Sequence, residues 1–172
     1  GFLLQPTGLA VLRELGLEDE VLAVTQRIDG LYCETERRKV LLDLEYGELE
    51  EGLFGLGTHR SSLLGVLLKA LREAGGEIRW GAEVVEMSLA KKGRFLKTKE
   101  GREEGPFDLV LVCDGARSQI REQAGIAARV DRYPWGALWF MGKRTPEFAS
   151  NLLWQRVGST RELCGFLPTG TK

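Results

Sequence analysis

Apolar residues along this chain change period several times, and each change marks an element. Over residues 6–15, Leu9, Leu12 and Leu15 recur at near-helical spacing behind Pro6, which suits a first turn. This predicts a helix that Gly16 stops, and a short second helix is predicted over 18–24. Residues 30–36 and 39–44 alternate like two strands, with Arg37 and Arg38 as the turn between them. The Gly- and Glu-rich stretch 47–57 reads as loop. The clearest helical pattern covers 61–74, where Leu63, Leu64, Leu67, Leu68 and Leu71 share one face and Gly75-Gly76 ends the run.

Strands are predicted next at 77–80 and 83–89, followed by a charged β-meander over 91–104 that reads as a solvated hairpin. Residues 108–113 differ in kind. Leu-Val-Leu-Val-Cys is continuously apolar, the mark of a strand buried on both faces. It runs into Asp114-Gly115 and a short helix over 118–123. Aromatic-rich strands are predicted at 135–141, 152–157 and 163–167. No helix separates them, so an antiparallel sheet is expected. A composition shift over 127–133 marks a boundary. The expected class is α/β (α+β), with an α/β part over 1–128, a strand pair inserted near 28–45, and an antiparallel sheet over 129–172.

Composition narrows the function classes. Lys+Arg is 24 and Asp+Glu is 25 among 172 residues, a balance that argues against a nucleic-acid binder. The apolar runs fall far short of the roughly 20 residues a membrane-spanning helix needs. Cys33, Cys113 and Cys164 lie far apart with no Cys-x-x-Cys pair, which reads as reduced thiols and not as a disulfide or zinc framework. His59 is the only histidine, so a two-histidine metal site cannot form within this chain and no metal is expected. No Gly-x-Ser-x-Gly elbow occurs. No basic leader accompanies the apolar start, so a cytoplasmic location is expected. The start at Gly1, without Met, reads as a segment of something longer.

Two places carry candidate chemistry. Gly55-Leu56-Gly57-Thr58-His59-Arg60 imitates a dinucleotide-binding loop, but Arg60 stands where the third glycine belongs and no strong strand is predicted before it. Arg60 opens the strongest helix, where backbone N–H groups and the dipole favour an anion. It either grips a phosphate or forms a surface ion pair. Asp114 sits at the carboxyl end of the predicted buried strand, the place where open α/β sheets bind ligands. Gly115 permits close backbone approach and Ser118 can cap the next helix. The alternative is a turn that uses Asp-Gly for geometry alone.

Together these pieces resemble the FAD-dependent aromatic hydroxylases, the class of p-hydroxybenzoate hydroxylase, salicylate hydroxylase and kynurenine monooxygenase. The strongest likeness is DLVLVCDGARSQIR (108–121), which is similar to the family's Asp-Gly motif. HRSSLLGVLLKAL (59–71) looks like its Arg-x-x-Leu helix, QPTGLAVLRELGL (5–17) like the helix after the first nucleotide-binding unit, and CGFLPTG (164–170) like a strand entering the active site. The resemblance implies a p-hydroxybenzoate hydroxylase-like fold and an enzyme that hydroxylates a small aromatic substrate with FAD, NAD(P)H and O2. It implies that Arg60 contacts the FAD pyrophosphate region and that Val84 holds the adenine through its backbone. It places Asp114 and Gly115 near the ribose and pyrophosphate, with Arg117, Ser118 and Arg121 supporting the motif. Trp135, Trp139, Trp154 and Phe166 belong to the substrate sheet, where core packing is the expected role and an aromatic pocket the alternative. No residue is identified as a catalytic base.

The family's Gly-x-Gly-x-x-Gly loop and its Gly-Asp motif near a His are absent, so the chain reads as the middle of such an enzyme. A reductase of the same fold and a non-enzymatic interaction module remain as alternatives.

Overall fold

The computed structural model describes residues 1–146 and 150–170, so parts of the predicted 129–172 region, 147–149 and 171–172, lie outside the described residues. The chain forms two units, Gly1–Glu77 with Ala137–Lys172, and Ile78–Gly136. α/β character holds throughout, in three separate sheets.

In the first unit, β1 (Phe2–Leu4), β2 (Gln26–Ile28) and β5 (Gly55–Thr58) form an antiparallel sheet with β5 in the centre. The predicted loop over 47–57 therefore ends in a strand that is buried throughout. Its glycines hid it from a reading based on side-chain pattern. A side chain at Gly57 would run into the carbonyl oxygen of Pro168, so the backbones approach as only glycine allows. Helices α1 (Pro6–Glu14) and α2 (Glu18–Leu22) fall where predicted. Leu9, Leu12 and Val21 from them meet Leu56 of β5 to form the core.

A second sheet in this unit has the order β10-β9-β3-β4. β3 (Gly30–Thr35) and β4 (Val40–Glu45) are the predicted pair, antiparallel, with Arg38 at positive φ in the turn. β9 (Leu152–Ser159) and β10 (Glu162–Phe166) pair antiparallel as expected. β9 also lies parallel to β3, a long-range pairing that joins the two strand pairs into one sheet. A short helix, α3 (Tyr46–Leu49), follows β4. The strongest predicted helix is α4 (Arg60–Glu73). Leu63, Val66 and Leu67 pack on the core, while Leu64 and Leu71 stay exposed. Its leucine stripe is thus wider than the surface that covers it here.

The second unit holds the antiparallel sheet β6 (Val84–Ala90), β7 (Gly93–Thr98) and β8 (Glu103–Phe107), the charged meander predicted over 91–104. α5 (Ile120–Gln123) packs against β6.

Three predicted strands do not form. Residues 77–80 are irregular. Residues 108–113 are also irregular, with Leu109 at 74% and Leu111 at 76% exposure, so the expected buried strand is corrected. A strand buried on both faces needs a neighbour on each side. Among the described residues nothing pairs with this segment. Residues 135–141 fail for the same reason, and Trp135 and Trp139 are exposed rather than packed in a core.

Candidate functional site

β5 delivers the chain directly into α4, so a strand does precede Arg60, against expectation. That strand lies in an antiparallel sheet, which keeps the glycine-rich segment distinct from a parallel dinucleotide-binding unit. Arg60 is exposed at the first position of α4, and the helix carries no acidic residue in its first turn. His59 occupies the N-cap without a side-chain cap bond, and its ring Nε2 lies 2.9 Å from Thr169 Oγ1. Arg60 borders an open, mostly apolar groove with Phe2, Leu63, Leu64 and Leu67. This helix end has positive character and donors available to an anion.

The Asp-Gly turn lies in the other unit. Gly115 has a φ of 83°, in the left-handed region, and nothing stands within 4 Å of where a side chain would begin. The backbone N–H of Ser118 donates to Gly115 O at 3.1 Å, closing the turn. Ser118 Oγ accepts from the N–H of Arg121 at 3.1 Å, the capping role expected of it. Arg121 Nε is buried and has no partner among the described residues. Asp114 and Arg117 are exposed in the same loop. Val84 is half-buried on β6 and paired with Thr98. The outer edge of β6 is met by a side chain: Gln123 Nε2 donates to Val85 O at 2.8 Å, and Met87 N–H donates to Gln123 Oε1 at 2.9 Å.

A cavity of about 670 Å³ lies elsewhere, on one face of the β10-β9-β3-β4 sheet. Register explains its lining. Tyr32, Trp154 and Phe166 stand opposite one another across three strands, and Glu34, Arg156 and Cys164 form the adjacent row. Residues two apart share a face, so all six meet the same space. Trp154 and Phe166 are tilted rings with centroids 5.7 Å apart. Arg156 lies 4.7 Å above the Trp154 ring and donates to Glu34 Oε1 from Nε at 3.2 Å and from Nη2 at 2.6 Å.

The bond from Arg156 holds the Glu34 carboxyl below its ordinary range, against the opposing effect of burial. Burial pushes the Tyr32 phenol up, and the nearby Glu34 charge adds to the shift. Trp154 and Phe166 line a pocket, the alternative role weighed for them. Glu34, Arg156 and Tyr32 escaped the sequence reading because Glu34 and Arg156 are 122 residues apart. A signal was present in the paired spacing of Tyr-x-Glu on one strand and Trp-x-Arg on another.

No cluster of metal-ligating groups occurs among the described residues. No helix among them is long and apolar enough to cross a membrane.

The α/β chain thus carries a helix end and an aromatic-lined sheet in one unit and an open glycine turn in the other. Residues 1–160 match a family described as FAD binding domain, and the chain belongs to it. It is 33% identical over 132 residues to squalene monooxygenase SE1 of Panax ginseng, across 70% of this chain and 23% of that protein. It is 32% identical over 129 residues to squalene epoxidase 3 of Arabidopsis thaliana, across 24% of that protein. The chain therefore spans about a quarter of the length of the curated relatives it matches. Among solved structures, PqsL of P. aeruginosa in complex with 2-aminobenzoylacetate superposes with a TM-score of 0.75 at 23% identity, covering 98% of this chain and 47% of that one. HpxO of Klebsiella pneumoniae, complexed with FAD and uric acid, gives 0.68 at 16% identity, covering 98% and 44%. At these identities the likeness establishes the fold.

Proposed function

We propose that this chain is part of a FAD-dependent monooxygenase that hydroxylates a small aromatic or related substrate, with NAD(P)H as reductant, in the cytoplasm. The observation that carries this reading is membership of residues 1–160 in the FAD binding domain family. On this reading residues 1–128, with the strand pair inserted near 28–45, belong to the cofactor part, and the sheet strands of 129–172 serve the substrate. Squalene monooxygenase, as a relative, supports oxygen transfer to an organic molecule, and the PqsL complex with 2-aminobenzoylacetate shows that this fold can take a small ligand.

The residues present fit FAD. The end of α4 offers N–H groups and Arg60 with no acidic residue to repel a diphosphate. The Gly115 turn leaves open space where a ligand's backbone-close approach needs it. Arg60 would hold the pyrophosphate region, Val84 the adenine by its backbone, and Asp114 the ribose. Gly115, Arg117, Ser118 and the supporting Arg121 would shape the Asp-Gly turn. When bound, FAD supplies the redox chemistry between NAD(P)H and O2. The protein binds and orients, and its aromatic sheet face excludes water.

The chain alone is expected to hold FAD weakly or not at all, because the diphosphate is normally cradled by a parallel strand–turn–helix unit. The test is a flavin titration followed by absorbance and fluorescence. Stoichiometric yellow protein would overturn the expectation of weak binding. Whatever binding is measured should weaken in Arg60→Ala, and unchanged affinity would remove Arg60 from the site. In the full-length enzyme, an aromatic product carrying one added oxygen atom supports hydroxylation. NAD(P)H-dependent reduction of the substrate without oxygen incorporation would instead identify a reductase.

A further inference from the structure

We propose that β4, the open edge of the four-stranded sheet, pairs antiparallel with β4 of a second copy of this chain, joining two sheets into one across a twofold axis. Neither cofactor nor substrate enters into this pairing.

β4 has a strand on one side only. The sheet order β10-β9-β3-β4 leaves it outermost, and no strand lies beyond it among the described residues. Residues 42–45 stand in regular register with residues 33–30 of β3. Just past β4, Tyr46 donates its backbone N–H to Asp29 O at 2.9 Å, toward the β3 side. Backbone groups alternate sides along a strand, so Asp43 and Glu45 turn theirs outward. A row of such unpaired groups is a template for another strand. β4 has no proline to block it, and its first three residues, Val40, Leu41 and Leu42, are apolar and 47%, 53% and 39% exposed.

Charge identifies the occupant. Arg37, Arg38 and Lys39 precede this apolar run, and Asp43, Glu45 and Glu48 follow it. Residues 37–42 contain no acid and residues 40–51 no base. Two strands of this polarity laid antiparallel bring the basic end of each to the acidic end of the other, with the leucines of both at the axis. A parallel pairing would set like charges together. Opposite charges across a strand pair stabilise it, and like charges destabilise it. Arg37, Lys39, Asp43 and Glu45 enter no ion pair among the described residues, so they are at hand for a second copy. The opposite edge of the sheet, β10, carries only Glu162 as a charge between Glu162 and Phe166, and offers β4 no matching polarity. Pairing of β4 with itself closes at two copies, as a twofold contact must. Six residues from each strand make a small interface, so the dimer is weak, with a Kd on the order of 10–100 µM.

Hydrogen exchange of the unaltered protein, read residue by residue at about 10 µM and about 1 mM, tests the pairing. The outward amides of Asp43 and Glu45 should exchange several-fold more slowly at the higher concentration. The Leu44 amide, which faces β3, should change little. Two charge-reversed proteins then test the polarity. Arg37→Glu with Lys39→Glu makes both ends acidic, and Asp43→Lys with Glu45→Lys makes both ends basic. Each alone should lose the slowing and sediment as a monomer at concentrations where the unaltered protein dimerises. An equimolar mixture of the two should dimerise and recover the slowing, because every acidic end then meets a basic one.

Unchanged exchange at Asp43 and Glu45 across this range overturns the proposal. So does association that leaves those two amides unaffected, since it would use another surface. Both outcomes are read on the unaltered protein, so they stand even where a variant fails to fold. All four substituted residues are exposed, and the variants are expected to keep the fold. Dimers that persist in either variant alone, or a mixture that stays monomeric, overturn it as well.

Discussion

Glu34 concentrates the residue-scale physics of this protein. A glutamate on a central strand, 6% exposed, persists only with a partner, and Arg156 provides it at 2.6 Å. Because the pairing lowers the carboxyl's folded value from an ordinary 4.5, its stabilising contribution is complete above that value. The contribution is lost as pH falls through the lower, folded value. Denaturant unfolding across the acid range should therefore show a loss of stability below about pH 4.5 that is smaller in Glu34→Gln. An unchanged acid limb in that variant would mean the pair contributes nothing. Sequence alone displays the charges but not their pairing, since register between β3 and β9 is decided by strands 122 residues apart. Ser118 is the contrasting residue. Its capping role acts over three positions and was legible from spacing.

At the scale of elements, helices were read well because their signals are local. α1 and α4 carry their own apolar stripes, and a glycine stop stands within a turn of each C-terminal end. Strands were read well where alternation was regular, as in β3 and β4, and also at β6, β9 and β10. β5 was missed because close backbone packing, not side-chain pattern, defines it. The edge of β6 shows a further device invisible to pattern. The Gln123 amide accepts from one backbone group and donates to another, as a neighbouring strand would. Removing it in Gln123→Ala should cost about 1–2 kcal/mol. Hydrogen exchange at the Met87 amide should accelerate while the Leu96 amide, on central β7, keeps its protection. Equal acceleration at both sites would indicate global loosening and contradict an edge role.

At the scale of the whole molecule, the balance between apolar content and coverage stands out. Leu109, Leu111, Ile126, Val130, Tyr133, Leu138 and Phe140 are all largely exposed, although the segments holding them have core-like composition. Exposed apolar surface on this scale favours dye binding and self-association. The protein should bind an apolar dye such as ANS while folded and should associate as concentration rises. Leu138→Ser with Phe140→Ser should reduce both without lowering the melting temperature, because neither residue is buried. A fall in melting temperature would show that these side chains support the fold.

The sequence by itself determined what depends on near neighbours: the helices and their stops, the strand pair over 30–45, the Asp-Gly turn with its cap, and the motifs that mark the family. Tertiary structure decided what depends on distant partners. It decided that β9 lies parallel to β3, that Glu34 meets Arg156 beside Trp154, and that residues 108–113 lack the neighbours a buried strand requires. The physical reason is common to all three. A turn or a cap is satisfied by atoms a few residues away, whereas a sheet face exists only once separate strands have set their register.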